Sequence, residues 1–456
     1  MNKQIILLLS VFFSAALQAQ TKQWTLEECI YYAIDHNISI KQVELQKQGA
    51  EIDLNTAQMS RLPNLNARAD QTWNFGFASN RTGVKETMNQ SNTGFSIGSS
   101  VPIFTGFRIS NEIARNKLDL KAATENLAKA KEDLSLNVAY LFLQVLLNKE
   151  IVKISEEQLN LGREQVERTK VLVEVGKVPK SQLYDIESQV AKDDVAVVRA
   201  RNDLNLALLD LAQGLELEST ANFDVYTPEI KNVITEYTSS VQPPEMIFEN
   251  AIQIRPAIKE QNYKVESAEK TLNIAKSGYM PTLDLNLGYN TGYYYTYGLK
   301  DYINPETGET VRPVNPSFSN QIRDNRSEYI GMTLSIPIFN RFSVRNQVRS
   351  AKLNIQNQQL ALDNVKKTLY KEIQTAYLSA TSAQETYRAS DKAVTATSES
   401  FKYAQERYEV GKSSVFEFNE ARMRYIQSQS EQIQAKYDYI FRTKILDFYN
   451  GIPIKL

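Results

Sequence analysis

The sequence is poor in the residues that build most reactive sites. It has one cysteine, Cys29, and one histidine, His36. A single thiol cannot close an intrachain disulfide. A lone His and a lone Cys offer neither a transition-metal site nor a thiol nucleophile, so no cofactor and no metal are expected. Basic and acidic residues balance at 52 and 53, for a net charge of −1, and nothing there points to nucleic acid. Past the N-terminus no run reaches the roughly 18 apolar residues of a membrane helix. Turn-formers are missing over long stretches: Arg108 to Val175 has no proline and one glycine before its end, Gly162, and Ser343 to Val410 has neither. Those absences exclude turns and leave long helix.

The N-terminus, "MNKQIILLLSVFFSAALQAQ", has a basic Lys3, a short apolar core and small residues before Gln20. It reads as a secretory signal peptide over 1–19, cut near Ala19. Cys29 lies on the apolar side of "WTLEECIYYAI" and reads as a small core residue. His36, beside Asn37, reads as a helix-end residue.

Internal repetition dominates what remains. "VEVGKVPK" and "YEVGKSSV" place Gly176 and Gly411 at an offset of 235, and "SVPIFTGF" matches "SIPIFNRF" at the same offset. Upstream, "AIDHNISI" matches "AIQIRPAI" and "SRLPNLNAR" matches "GYMPTLDLN", at an offset of 218. A period this long marks a duplicated substructure rather than a short-repeat solenoid. The first repeat is assigned to 20–214, a linker to 215–244 and the second repeat to 245–456.

Four segments alternate with period two, at about 62–77, 92–104, 281–296 and 327–339. In the first, Leu65, Ala67, Ala69, Gln71, Trp73, Phe75 and Phe77 face away from Asn64, Asn66, Arg68, Asp70, Thr72 and Asn74. In the third, Leu283, Leu285, Leu287, Tyr289, Tyr293 and Tyr295 oppose Asp284, Asn286, Gly288 and Asn290. An apolar face backed by Asn, Ser and Gly fits a soluble sandwich or an outer-membrane barrel. The aromatic ends, Trp73, Phe75 and Phe77 with Tyr293 and Tyr295, favour the barrel, where such residues form interfacial girdles. Four strands cannot close a barrel, and open edges must be paired, so closure is expected to need several chains. The loop over 296–327, with Pro305, Gly308, Pro313 and Pro316, reads as a long surface loop.

The rest reads as helix, at about 25–60, 106–175, 179–212, 245–279, 341–410 and 414–449. Ile113, Leu120, Leu127, Leu134 and Leu141 recur every seven residues. Val138, Val145, Val152, Leu159, Val166 and Val173 do so on a neighbouring line, a coiled-coil pattern with a stutter. Such a helix is roughly 100 Å long. Each long helix ends in Val-Gly-Lys: Val175, Gly176, Lys177 and Val410, Gly411, Lys412. Gly411-Lys412-Ser413 is not a phosphate loop, because the required upstream glycine position holds Glu406 and no buried strand precedes it. Glycine lets the chain leave a helix in the left-handed region, and lysine suits the negative helix end. Both tripeptides therefore read as tips of helical hairpins.

With these features in place, the mature chain resembles the TolC-type outer-membrane efflux family, through "WTLEECIYYAI", the "VPIF" and "IPIF" strand ends and the two "VGK" tips. The resemblance implies a mixed α/β membrane protein. Four transmembrane β-strands per chain would join a trimeric 12-stranded β-barrel in outer-membrane lipid, and coiled-coil helices would form a periplasmic α-helical tube. It implies a passive exit duct of a Gram-negative tripartite efflux or type I secretion system. The tips would contact a periplasmic adaptor and an inner-membrane pump of the resistance–nodulation (RND) or ABC type. Acidic positions after the second tip correspond to Glu417 and Glu420, and those after the first to Gln182 and Asp185. Tyr408 matches a gate-bonding tyrosine, while Ser413 stands where the family has arginine. Glu417 and Glu420, three apart, share one helix face and would form charged rings whose crowding raises carboxylate pKa values. An envelope enzyme would need a convergent reactive cluster, and none is legible. A periplasmic adaptor or a structural coiled-coil protein of the envelope would account for the helices but not for two repeats with aromatic-ended strands.

Overall fold

A computed structural model describes residues 23–79, 85–220, 223–228, 242–304 and 306–455. The leader expected over 1–19, part of the linker and Pro305 lie outside the described residues. Helices and strands form two compact units, each drawing on both halves of the sequence.

The first half runs β1 (Gln23–Trp24), α1 (Leu26–His36), α2 (Ile38–Met59), β2 (Asn66–Asn74), β3 (Phe77–Ser79), β4 (Lys85–Thr87), β5 (Asn89–Phe104), α3 (Arg108–Glu174) and α4 (Lys180–Gly214). After β6 (Asp224–Val225) come α5 (Pro244–Ile254), α6 (Pro256–Ser277), β7 (Thr282–Tyr297), β8 (Tyr302–Ile303) and β9 (Thr310–Val311). The chain then forms α7 (Phe318–Asp324), β10 (Ser327–Ser335), α8 (Ser343–Glu409) and α9 (Val415–Tyr449). α3 and α8 each have 67 residues, and α4 and α9 each have 35.

Four expected boundaries change. The helix expected over 25–60 breaks at Asn37, whose Oδ1 accepts from the Ser39 and Ile40 amides and so caps α2. The helix expected over 245–279 breaks at Arg255, because Pro256 cannot donate an amide and pushes its predecessor to an extended conformation, here ψ 127°. The strand expected over 62–77 leaves the main sheet at Asn74; Gly76, at φ 144°, interrupts it, and Phe77–Ser79 pairs with Lys85–Thr87. The strand expected over 327–339 ends at Ser335, opposite Thr282, where its partner β7 begins.

The first unit comprises 1–47, 122–261 and 361–456. Its larger core gathers Leu26, Cys29 and Ala33 of α1 with Val138, Phe142, Val145 and Leu146 of α3, Leu211 of α4 and Ile440 of α9. Cys29 is wholly buried, as a small core residue should be. A second core packs Ile247 and Ala251 of α5 on Ile373, Ala376 and Ala380 of α8. Positions related by the sequence offsets are buried alike: Ala33 and Ala251, Val138 and Ile373, Val145 and Ala380 are all at 0% exposure. Burial on α3 follows the 3.6-residue helical period through 138, 142, 145 and 146 rather than the leucine line alone; Leu134 and Leu141 only pack against the edge of this core. His36 closes α1, its Nδ1 3.0 Å from the Tyr32 carbonyl and its ring stacked on Tyr32.

The second unit comprises 48–121 and 262–360. It holds one antiparallel four-stranded sheet in the order β10-β7-β5-β2. The loop expected over 296–327 contains α7, begun by Ser317 as N-cap. Where β7 runs past the start of β10, side-chain amides take the place of a neighbouring strand. Tyr294 donates its amide to Gln321 Oε1 at 2.9 Å, and Gln321 Nε2 donates to the Tyr294 carbonyl at 2.8 Å. Asn315 makes the same reciprocal pair with Thr296, 2.9 Å each way. Backbone polar groups must be satisfied, and here a loop satisfies a strand edge.

Candidate functional site

Three features invite a functional reading: the two hairpin tips, the residues just beyond them, and the sheet.

Both tips adopt the same backbone. Gly176 lies at φ 72° and Gly411 at φ 73°, in the left-handed region. The Gly176 and Lys177 amides donate to the Val173 and Leu172 carbonyls at 3.0 and 2.8 Å; those of Gly411 and Lys412 donate to Tyr408 and Arg407 at the same distances. This is the Schellman ending, in which glycine satisfies the last carbonyls of the helix. Val175 and Val410 are 62% and 68% exposed, and space is open around both glycines. Each tip thus presents an apolar side chain, a flat glycine and a cation to solvent.

The helices that return from the tips begin differently. α4 starts behind Pro179 with no side-chain cap. α9 starts with a capping box: Ser414 Oγ accepts from the Glu417 amide, and Glu417 Oε2 accepts from the Ser414 amide, 3.2 Å each. Ser413 Oγ also donates to Glu417 Oε2 at 2.7 Å. The Ser413 hydroxyl and then the Ser414 amide hold the Glu417 carboxyl below its ordinary range. Within one chain this is opposite to the rise expected from crowded rings. Glu420 is paired with Arg424 at 2.5 Å across one helical turn. Among the described residues no hydrogen bond or ion pair joins Gln182 or Asp185 to Glu417 or Glu420. Tyr408 stacks on Phe418, centroids 4.9 Å apart, which ties the end of α8 to the start of α9.

Sequence reasoning missed a buried cation between the hairpins. Arg422 of α9 is 4% exposed. Its Nη2 donates to Asp193 Oδ2 at 2.6 Å and to the Gln158 carbonyl at 2.5 Å, and its Nε donates to Gln158 Oε1 at 3.2 Å. The signal was Gly162, alone in the long helix: a Cβ there would meet Val190 at 2.8 Å and Asp193 at 3.2 Å. Nearer the tips, Arg168 Nη1 donates to Glu409 Oε1 at 2.8 Å and lowers the pKa of that carboxyl. A second buried arginine, Arg255, pairs with Glu132 at 3.0 Å and lies 3.9 Å over the Phe448 ring. Burial raises the Glu132 pKa against the pull of Arg255. Among the described residues no group of His, Cys, Asp and Glu could hold a metal, and no helix is long and apolar enough to cross a membrane.

The sheet carries its chemistry by register. Ala67, Ile97, Tyr289 and Glu328 lie in one row, as do Val101, Leu285 and Met332. Directly opposed residues share a face, so the odd-numbered positions of β2, β5 and β7 and the even-numbered positions of β10 make one face that is mostly apolar. The opposite face has Arg68, Ser96 and Asn290 in one row and Gly98 beside Gly288 in another. Trp73, Ser91 and Tyr295 form one row of the apolar face, and Tyr293 lies in the next row with Gln71 and Thr93. Phe75 and Phe77 fall beyond the main sheet, both exposed. On the apolar face Ile97, Ile330, Met332 and Leu334 are all exposed in the single chain.

The sequence model of the outer membrane efflux protein family matches residues 29–215 and 247–446. Outer membrane protein TolC of Escherichia coli K12 is 22% identical over 415 residues, 87% of this chain and 77% of that protein. Outer membrane protein TolC of Vibrio cholerae is 22% identical over 447 residues, 95% of this chain and 92% of that one. The crystal structure of the CusC channel superposes with a TM-score of 0.74 at 17% identity, covering 94% of this chain and 92% of that chain. The family model spans most of both halves of the sequence, and the protein belongs to the outer membrane efflux protein family, as an exit duct of the outer membrane.

Proposed function

We propose that three copies of the chain close a 12-stranded barrel in the outer membrane and continue as a helical tube into the periplasm. The duct is passive: it binds no cofactor and performs no chemistry, and an inner-membrane pump of the RND or ABC type supplies the energy through a periplasmic adaptor. Val175, Gly176, Lys177, Val410, Gly411 and Lys412 form the adaptor contacts. Glu417 and Glu420, with Gln182, Asp185 and Tyr408, line the narrowest passage. Trp73, Phe75, Phe77, Tyr293 and Tyr295 mark the lipid boundary. The two halves, 20–214 and 245–456, act as equivalent wall segments joined by the linker 215–244.

The observation that carries this reading is the sheet. Its apolar face is largely exposed and, among the described residues, both of its outer strands have an unpaired edge. An exposed apolar sheet with open edges suits a lipid setting in which further strands close the ring. The test is electron microscopy of the detergent-extracted protein. The expected result is a threefold cylinder well over 100 Å long, from the length of its helices. Compact monomers would remove the barrel and, with it, the duct.

A further inference from the structure

The two sequence offsets, applied to the sheet, give the residue pairs at the seam between copies of this chain. The first strand of each half corresponds by 218 (β2 to β7) and the second by 235 (β5 to β10). These offsets can be checked inside the chain. Within the first hairpin Asn66 pairs with Gly98. Adding 218 and 235 gives Asp284 with Thr333, which is an observed pair of the second hairpin. The agreement continues without a slip to Asn290 with Ser327.

The remaining in-chain seam joins β5 to β7, the second strand of one half to the first strand of the next. Its counterpart would join β10 to the β2 of a second copy. We infer that this seam pairs Gly331 with Thr72 of the second copy, in the register carried over from Ser96 with Asn290. The same shift turns Ile97 with Tyr289 into Met332 with Gln71, and Val101 with Leu285 into Ile336 with Ala67. The inference rests on the multi-chain barrel proposed above and adds its register.

Three observations support it. A slip of one residue would move every side chain to the other face, and this register keeps the even positions of β10 beside the odd positions of β2, the apolar face of each strand. Among the described residues nothing pairs with either edge: β2 is exposed along its whole length, and Ile336 and Ile338, beyond the end of β10, are 61% and 95% exposed. Their counterparts Val101 and Ile103 lie within β5, which is 16 residues long because β7 continues beside it. Pro337 is no obstacle, since Pro102 occupies the corresponding place in the in-chain seam. One place departs from the repeat. A Cβ on Gly106 would lie 2.6 Å from Met280 Cβ, and its counterpart is Arg341. The correspondence therefore holds for the strand rows and not for the turns below them.

The test is disulfide formation in the full-length protein in its own membrane, with buried Cys29 left in place. Gly331→Cys with Thr72→Cys is the seam pair, and Ser96→Cys with Asn290→Cys is its in-chain standard. A Cβ at Gly331 meets nothing within 4 Å, so the cysteine has room. Off-register controls combine Gly331→Cys with Asp70→Cys or with Asn74→Cys. Opposed Cβ atoms lie within disulfide reach and diagonal ones do not, so the seam pair should give about tenfold more covalent multimer than either control. Multimer from a control pair instead would overturn the register while leaving copies that meet edge to edge. No multimer from any pair, in a protein that sediments as an oligomer and whose in-chain standard closes, would overturn the strand seam itself. A protein that sediments as a monomer would end both this inference and the proposed barrel.

Discussion

Arg422 shows what a single side chain decides in this fold. It sits at 4% exposure with its guanidinium against Asp193 and the Gln158 carbonyl, linking α9 to both α3 and α4. Removing one member of a buried pair strands the other, at a cost of about 3–5 kcal/mol, whereas replacing both with apolar residues of like volume is often neutral. Arg422→Ala should therefore lower the thermal midpoint of the detergent-solubilised protein markedly. Arg422→Met with Asp193→Leu should recover most of the loss. Equal instability of the double variant would show that packing around Gly162, rather than charge, sets the cost. Glu417 is a second case. Its folded pKa lies below the unfolded value, so its contribution to the cap of α9 is present above the unfolded value and is lost as pH falls through the folded one. The protection of the amides over 411–418, measured as exchange relative to the intrinsic rate at each pH, should fall on acidification through that range, and in Glu417→Gln it should be nearly flat with pH.

At the scale of elements, the tips are built to be sharp. Gly176 and Gly411 each hold a backbone that a branched side chain adopts only at a cost of about 1–2 kcal/mol, although nothing crowds either position. Gly411→Val should fray the last turn of α8 and the cap of α9 while the sheet still folds. If the tips are the docking surface, export falls in Gly176→Val and Gly411→Val even though each protein reaches the outer membrane in normal amount. Normal export from both would move the docking surface elsewhere. The helices were the most legible elements: lengths of 67 and 35 residues, each used twice, follow from where Gly and Pro stand. The breaks at Asn37 and Arg255 were not legible from apolar periodicity, because that pattern passes smoothly through a cap. The side-chain amides of Gln321 and Asn315 on β7 could not be read either, since they depend on how a loop folds back.

For the whole molecule, the question is what the acidic residues beyond the second tip do when copies come together. In one chain Glu417 is occupied by its cap and Glu420 by Arg424, both on the exposed surface. Threefold repetition would still place six carboxylates around one axis, and such rings favour cations. Glu417→Ala with Glu420→Ala should change single-channel conductance in planar bilayers and reduce cation preference. Unchanged selectivity would assign both residues to the local contacts described here. This experiment and the sedimentation of the disulfide variants separate gating from assembly, because the proposed pore residues lie on α9 and the proposed seam residues on β2 and β10.

The sequence by itself determined the duplication offsets, the four alternating strands, the lengths of the four helices that meet at the tips and the glycine tips. All of these are local: side-chain alternation, the presence or absence of a breaker and a left-handed exit act within a few residues. Only the tertiary structure decided the strand order β10-β7-β5-β2 and the burial of Arg422 opposite Gly162. Those depend on which distant segments meet. A charged residue on a helix gives no sign of whether water, a neighbouring turn or a buried partner will face it until the other helix is in place.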